Sequence, residues 1–386
     1  MISGVRKSRR PKILFLVTED WYFWSHRLPL ARAVRNQGCD VVVAVRVDRH
    51  GEKIIQEGFR LAPLAMKREG LNPLNGLRSL TQLITLYLRE RPDLVHHVAI
   101  KPVLLGTLAA ILAGVPRVVN AFAGLGYAFT TDTPSAIRYR KILRLALPRL
   151  LGHPRVRVVA QNLDDAATLA EVSSLPVERL TIIPGSGVDP ERFQVQMEPP
   201  GDPVVTMVSR MLWDKGVAEF VAAAARLKKN HPAWRFLLVG SPDPHNPSTV
   251  PEAELRAWHA AGTVEWLGER EDIPDLLANT HVAVLPSYRE GFPKSLLEAA
   301  ACGRAIVAAD VPGCRHVVQD GVNGLLIPRA DAAALAIAIE RLGLDGELRR
   351  RMGRSGRQRV EEHFAQKIIV QQTLALYATM GMGRCS

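Results

Sequence analysis

Short runs of aliphatic and β-branched residues alternate with longer stretches of helical periodicity along the whole chain, the pattern of parallel βαβ units. In the first half the runs fall at residues 13–17, 41–45, 94–97, 118–120 and 156–160. In the second they fall at 204–209, 236–239, 264–267, 282–285, 305–308 and 324–327, with helical patterns such as 218–227 and 296–301 between them. The expected fold class is α/β, with two Rossmann-like doubly wound domains and an interdomain cleft at the carboxyl ends of the strands, where such sheets bind ligands. The length of 386 residues fits two domains. The Pro/Gly-rich segment Glu198-Pro199-Pro200-Gly201-Asp202-Pro203 marks the break. Residues 1–197 are read as the first domain, 198–365 as the second, and 366–386 as a C-terminal helix that can return to the first.

Other patterns limit the alternatives. Met1 to Arg10 is basic like the start of a signal peptide, but the apolar run behind it stops at Glu19-Asp20 and reads as a first strand. The longest apolar stretch, 103–116, falls short of the roughly 18–20 residues that a bilayer-spanning helix needs. Cys39, Cys302, Cys314 and Cys385 form no C-x-x-C pair, which argues against a zinc knuckle or a disulfide framework and fits a reduced compartment.

The net charge of +12 is unevenly placed. Residues 1–197 hold 28 Lys+Arg against 16 Asp+Glu, and the remainder holds 22 against 22. Such an excess attracts nucleic acid, an anionic membrane or a polyphosphate. With 6% aromatic residues and no RNA-binding or zinc-finger signature, nucleic acid is set aside. Residues 136–149 mix basic and aliphatic side chains at near-helical spacing, as a helix on an anionic interface would, or as an Arg-rich surface helix packed on its own core.

Chemistry concentrates first in the second half. After the run 204–209 comes Arg210-Met211-Leu212-Trp213-Asp214-Lys215-Gly216, a loop opening a helix. It places a forked and a compact cation where both can clamp a diphosphate. After the run 282–285 comes Pro286-Ser287-Tyr288-Arg289-Glu290-Gly291-Phe292-Pro293-Lys294-Ser295-Leu296-Leu297-Glu298. The amides of Gly291 through Ser295 would face an anion at that helix start. Glu290 and Glu298 at either end of the turn can hydrogen-bond hydroxyls on both sides of a diphosphate, the requirement of a nucleotide sugar.

With these residues the chain resembles the retaining glycosyltransferases of family 4, which have the GT-B fold. The resemblance rests on Glu290-x7-Glu298, on Ser209-Arg210-x4-Lys215-Gly216, and on the closing Asp310-Val311-Pro312-Gly313-Cys314-Arg315 and Asp320-Gly321-x2-Gly324-Leu325-Leu326 segments, and it covers essentially the whole chain. It implies that Arg210 and Lys215 bind the donor diphosphate, Glu290 the transferred sugar and Glu298 the ribose diol. Gly240, Gly291, Phe292, Pro293, Lys294, Ser295 and Leu296 would complete the donor site. It also implies no cofactor and no divalent metal, since cations and a helix start supply the charge.

In the first half the family resemblance extends to Thr18-Glu19-Asp20-Trp21-Tyr22-Phe23-Trp24-Ser25-His26-Arg27, where many members carry a Gly-Gly turn and this chain carries an aromatic cluster. Those aromatics are expected either to face an acceptor lipid or sugar or to pack under the interdomain cleft. His96 or His97 is the candidate for contact with the transferred sugar, and Lys101 for the acceptor phosphate. Trp21, His26 and the glycine loop with Gly124 and Gly126 are further acceptor candidates. Together these segments look like the subgroup that transfers an N-acetylhexosamine to a polyprenyl-diphosphate-linked sugar in O-antigen (lipopolysaccharide), capsule or protein-glycan synthesis. The implied function is transfer of GalNAc or GlcNAc from a UDP-sugar in α linkage, by a cytoplasmic protein peripheral on the inner membrane face. The alternatives are a nucleotide-sugar 2-epimerase of the same fold and a non-catalytic nucleotide-sugar or glycan-binding protein.

Overall fold

The computed structural model describes residues 9–66, 73–124 and 134–382. The chain divides into two compact units, Met1–Ser186 with Val370–Ser386, and Gly187–Ile369.

In the first unit seven strands form one parallel sheet: β1 (Lys12–Glu19), β2 (Asp40–Arg46), β3 (Arg60–Pro63), β4 (Leu94–Val98), β5 (Val118–Ala121), β6 (Val156–Ala160) and β7 (Leu180–Ile182), in the order β3-β2-β1-β4-β5-β6-β7. The connecting helices are α1 (Asp20–His26), α2 (Leu28–Asn36), α3 (Gly51–Gln56), α4 (Pro73–Glu90), α5 (Ile100–Leu112), α6 (Pro134–Leu151) and α7 (Leu163–Ser173). A parallel sheet is covered on both faces, so its central strands read as unbroken apolar runs. Thus β1 is buried from Ile13 through Glu19. The order reverses between β1 and β4, whose carboxyl ends lead into α1 and α5.

The edge strands β3 and β7 have no counterpart in the hydrophobic pattern. Each is short and pairs on one side, and β3 (Arg-Leu-Ala-Pro) needs apolar side chains only toward its single neighbour. In α6 Leu143, Leu147 and Leu151 pack into the core one turn apart. Ile137, Ile142 and Leu145 remain exposed with Arg138, Lys141, Arg144 and Arg149. The helix is therefore anchored on one face and both apolar and basic on the other. Between β3 and α4 a groove of about 760 Å³ is lined by Leu61, Leu64, Leu74 and Leu77 with Arg78 and Arg89; it holds none of the candidate residues.

In the second unit six strands form a parallel sheet: β8 (Val204–Val208), β9 (Arg235–Val239), β10 (Glu265–Trp266), β11 (Val282–Leu285), β12 (Ala305–Ala309) and β13 (Gly324–Ile327), in the order β10-β9-β8-β11-β12-β13. Around it lie α8 (Val217–Leu227), α9 (Glu252–Ala260), α10 (Ile273–Ala278), α11 (Lys294–Ala301), α12 (Cys314–Val317), α13 (Ala332–Leu344) and α14 (Gly346–Arg359). Here the order reverses between β8 and β11, the strands that lead into the two motif loops.

The Pro/Gly-rich segment lies inside the second unit. Val188 bridges to Ala365, Arg357 donates to the carbonyls of Pro190 and Phe193, and the His281 imidazole donates to that of Pro199. Arg349 forks onto Glu198 with two bonds of 2.9 Å. These contacts begin the unit at Gly187. The other boundary falls within α15 (Gln366–Thr379), whose later residues belong to the first unit. Cys302 and Cys314 are free and buried. Among the described residues no helix is long and apolar enough to cross a membrane.

Because Arg349 and Glu198 are both nearly closed to solvent, deleting the carboxylate strands a buried guanidinium. Glu198→Ala should cost the second unit about 3 kcal/mol, read as a lower urea midpoint. An unchanged midpoint would mean that residues 187–198 are not part of its cooperative core.

Candidate active site

The carboxyl ends of β8, β9, β11 and β12 gather the second-half motifs. Past β8, Arg210 donates to Asp243 at 2.7 Å, and Asp243 lies in the turn after β9. A 3-10 turn, Trp213–Lys215, then presents Lys215, whose ammonium donates to Glu290 at 2.5 Å. This pair joins the loop after β8 to the loop after β11 and is largely buried, with side-chain exposures of 17% and 12%. Both cations are thus held by carboxylates from neighbouring loops, which fixes charge that a diphosphate could share.

Two glycines make that approach possible. Gly216 follows Lys215 at φ 79°, and a Cβ there would lie 2.2 Å from the Pro286 carbonyl oxygen. Gly313, at φ 86°, sits under Glu290, where a Cβ would lie 2.6 Å from its carbonyl oxygen. The Glu290 amide in turn donates to the Pro312 carbonyl. The Asp310–Arg315 part of the motif set therefore serves to hold Glu290. Gly240 ends β9 beside this group, and its carbonyl accepts from the Trp266 indole at 2.9 Å.

Helix α11 starts at Lys294 with Pro293 as its N-cap and no side-chain cap. Proline has no N–H, so the helix-start donors are the amides of Lys294, Ser295 and Leu296, a shift from the expected run of Gly291 through Ser295. Gly291 lies in the loop before it. The Leu296 side chain is in the core and leaves only its amide for a ligand, while Phe292 packs edge-on against Phe364 at 5.3 Å. Glu298 lies one turn along α11, 3.4 Å from Lys294. Burial pushes its carboxyl above the ordinary range, and Lys294 offsets part of that rise.

In the first unit the two histidine candidates separate. His97 donates from Nδ1 to the Asn120 side-chain carbonyl at 2.8 Å and accepts at Nε2 from the Tyr87 hydroxyl at 3.0 Å. Burial pushes it down to about 4. With both nitrogens used inside the core, it has none left for a sugar. His96, on the opposite face of β4, stacks on Phe15 and bonds Tyr377 of α15 through Nδ1 at 2.5 Å. Its buried Nε2 has no partner. Lys101 lies in the first turn of α5, half-buried, and burial holds its ammonium below the ordinary value. Just before it, Ala99 has φ 77° and ψ 162°, a glycine region that costs another residue roughly 1–3 kcal/mol.

The aromatic cluster divides by helical phase. Phe23 is in the core against Phe15 and Phe59, and Trp24 packs beside His50. Tyr22 stacks face to face on His26 at 4.1 Å, and exposed Trp21 meets the Tyr22 edge. Within less than one turn the helix thus turns Phe23 into the core and leaves Trp21 at the surface. Gly124 follows β5 at φ 89°; Gly126 lies outside the described residues.

Comparison with known proteins bears on the whole chain. The family model "Glycosyl transferases group 1" matches residues 188–359, and "Glycosyl transferase 4-like" matches residues 12–150. A Campylobacter jejuni protein, N,N'-diacetylbacillosaminyl-diphospho-undecaprenol alpha-1,3-N-acetylgalactosaminyltransferase, is 30% identical over 95% of this chain and 98% of its own. The chain belongs to glycosyltransferase family 4. An Escherichia coli relative, UDP-Gal:alpha-D-GlcNAc-diphosphoundecaprenol alpha-1,3-galactosyltransferase, is 27% identical over 70% of this chain and 71% of its own. Anabaena Alr3699/HepE, solved in complex with UDP and glucose, superposes with a TM-score of 0.78 over 95% of this chain and 99% of its own at 20% identity, a likeness of the GT-B fold.

Sequence reading of this glycosyltransferase missed Asp243 and the Tyr288–Glu219 hydrogen bond of 2.7 Å, which steadies the loop before Glu290. The signal for the first was Gly240-Ser241-Pro242-Asp243, a turn at a strand's carboxyl end; the second partner lies far away in sequence and had none.

The raised Glu298 pKa has a definite sign. The native state binds that proton more tightly than the unfolded chain, so stability falls as pH rises from the unfolded value of 4.5 through the native one. Glu298→Gln should remove this loss and melt higher than the parent at neutral pH. Parallel melting curves for the two proteins across that range would contradict the burial of Glu298.

Proposed function

We propose that this glycosyltransferase moves GalNAc or GlcNAc, with retention of the anomeric configuration, from a UDP-sugar to a polyprenyl-diphosphate-linked saccharide. The observation that carries the reading is the 30% identity, over nearly the full length of both chains, to a relative named for GalNAc transfer to a diphospho-undecaprenol sugar. The E. coli relative, named for a UDP-linked donor and a diphosphoundecaprenol acceptor, supports the same chemistry. GalNAc is favoured by the first relative and galactose by the second, so the donor pocket is assigned to a UDP-hexose family with the N-acetylated sugar first.

Arg210 and Lys215 share their positive charge between Asp243 and Glu290 and the donor diphosphate, and the α11 amides add three donors. Glu290 accepts from hydroxyls of the transferred sugar and Glu298 from the ribose. The acceptor hydroxyl attacks the anomeric carbon on the face that UDP leaves. A carbon–oxygen bond forms as the bond to the phosphate oxygen breaks, and the acceptor proton passes to that departing oxygen. Negative charge grows on the diphosphate during this step, where preformed cations act most strongly. In this scheme those cations carry the role that a divalent metal fills elsewhere. The exposed basic and apolar face of α6 supports peripheral attachment to an anionic membrane, from the cytoplasmic side in this reading.

Arg210→Ala and Lys215→Ala should each lower turnover on the order of 10²–10³-fold, measured as acceptor-dependent UDP release with a panel of UDP-sugars and a short-chain polyprenyl-diphosphate sugar. Near-parental turnover in either folded variant would refute the diphosphate clamp. Release of an epimer without acceptor would instead assign an epimerase. Liposome co-sedimentation should rise with anionic lipid and fall with salt; binding indifferent to both would remove the membrane role of α6.

A further inference from the structure

The turn after β9 is laid along the loop that carries Arg210 and Lys215. Met211 donates its amide to the Ser241 carbonyl, and Leu212 bridges to Thr249. The amides of Trp213 and Asp214 donate to the Ser248 carbonyl and hydroxyl at 2.7 and 3.1 Å. Within the turn, the Asp243 amide donates to the Thr249 hydroxyl at 3.0 Å, and the Asn246 side chain accepts from the Ser248 amide at 2.9 Å. The turn is thus braced from within and presents Asp243 to Arg210 from a fixed base. The two carboxylate oxygens of Asp243 are divided: Oδ1 accepts from the His245 amide at 3.3 Å and Oδ2 from the Arg210 guanidinium at 2.7 Å.

The two cations of this loop differ in how openly they are held. Lys215 and Glu290 have side-chain exposures of 17% and 12%, whereas Arg210 has 37% and Asp243 17%. Arg210 uses its Nη1 for Asp243, and a guanidinium carries further N–H donors that can turn to a second anion. An ion pair this open adds little to folding. Its effect falls instead on an anion that comes to Arg210. A diphosphate there meets a carboxylate fixed on the same guanidinium, and two negative groups that share one cation repel each other.

We propose that Asp243 is a positioning residue that acts through Arg210. It fixes the guanidinium that the donor diphosphate is to meet, and, as the counter-ion which that diphosphate has to displace, it weakens the hold on UDP, the product that must leave. The ligand in this inference, a nucleoside diphosphate at Arg210, rests on the function proposed above; the counter-ion rests on the geometry of the turn.

The test is calorimetric titration of the full chain with UDP. Asp243→Asn keeps the size of the side chain and an acceptor oxygen but removes the charge. It should tighten UDP binding about three- to tenfold, and the gain should shrink as salt is raised. Loss of loop structure alone would weaken UDP binding at every ionic strength. Equal or weaker binding by Asp243→Asn, or a gain indifferent to salt, therefore overturns the counter-ion role. Should Asp243→Asn fail to fold, the guanidinium ¹⁵N resonances of the parent decide, with the Arg210 signal identified by its loss in Arg210→Ala. UDP should shift that signal; an unmoved signal means that the pair with Asp243 is not broken, and overturns the proposal. UDP binding that Arg210→Ala weakens but Asp243→Asn does not tighten sinks this role and leaves the diphosphate clamp standing. A parent that does not bind UDP, or binding indifferent to Arg210→Ala, removes the clamp and the counter-ion role with it.

Discussion

The Lys215–Glu290 ion pair is the contact on which the second unit's chemistry depends. At 2.5 Å and nearly closed to water, it ties the loop after β8 to the loop after β11 across the point where the strand order reverses. Removing two charges from water costs several kcal/mol per ion, and a mutual contact offsets this only when the geometry is close. The backbone supplies that closeness. Gly216 lies against Pro286 and Gly313 against Glu290, each at a separation no side chain could occupy. Replacing either glycine would push apart loops whose side chains have to meet.

This arrangement explains why basic and acidic residues recur together at the ends of these strands. A lone cluster of Arg210 and Lys215 would repel itself before a ligand arrived. Asp243 and Glu290 hold each cation in place. On α11 the charge of Glu298 is opposed by burial, which Lys294 offsets in part. The first unit shows the contrast: Arg27 is as deeply placed as any of these groups yet has no carboxylate among the described residues.

Much of the architecture was legible because a parallel sheet buried on both faces favours apolar runs in its strands, as β1, β2, β11 and β12 show. The edge strands β3 and β7 were not legible, because one-sided pairing relaxes the demand on composition. The grouping of Arg210, Lys215, Glu290 and Glu298 was legible because they occur at fixed short spacings within two strand–loop–helix segments. His96 and His97 were not. Adjacent strand residues point to opposite faces, and their roles were decided by Tyr87, Asn120 and Tyr377, which come from other segments.

Local spacing and periodicity by themselves determined the α/β class, the two sheets and the charged residues of the loops after β8 and β11, since each depends on interactions within a few turns of chain. Only the tertiary structure decided which cation meets which carboxylate, which histidine is spent on the core, and which arginine is left without a counter-charge. Those outcomes depend on partners brought together from distant positions, as Tyr377 is brought to His96, and on burial, which sets what an unpaired charge costs.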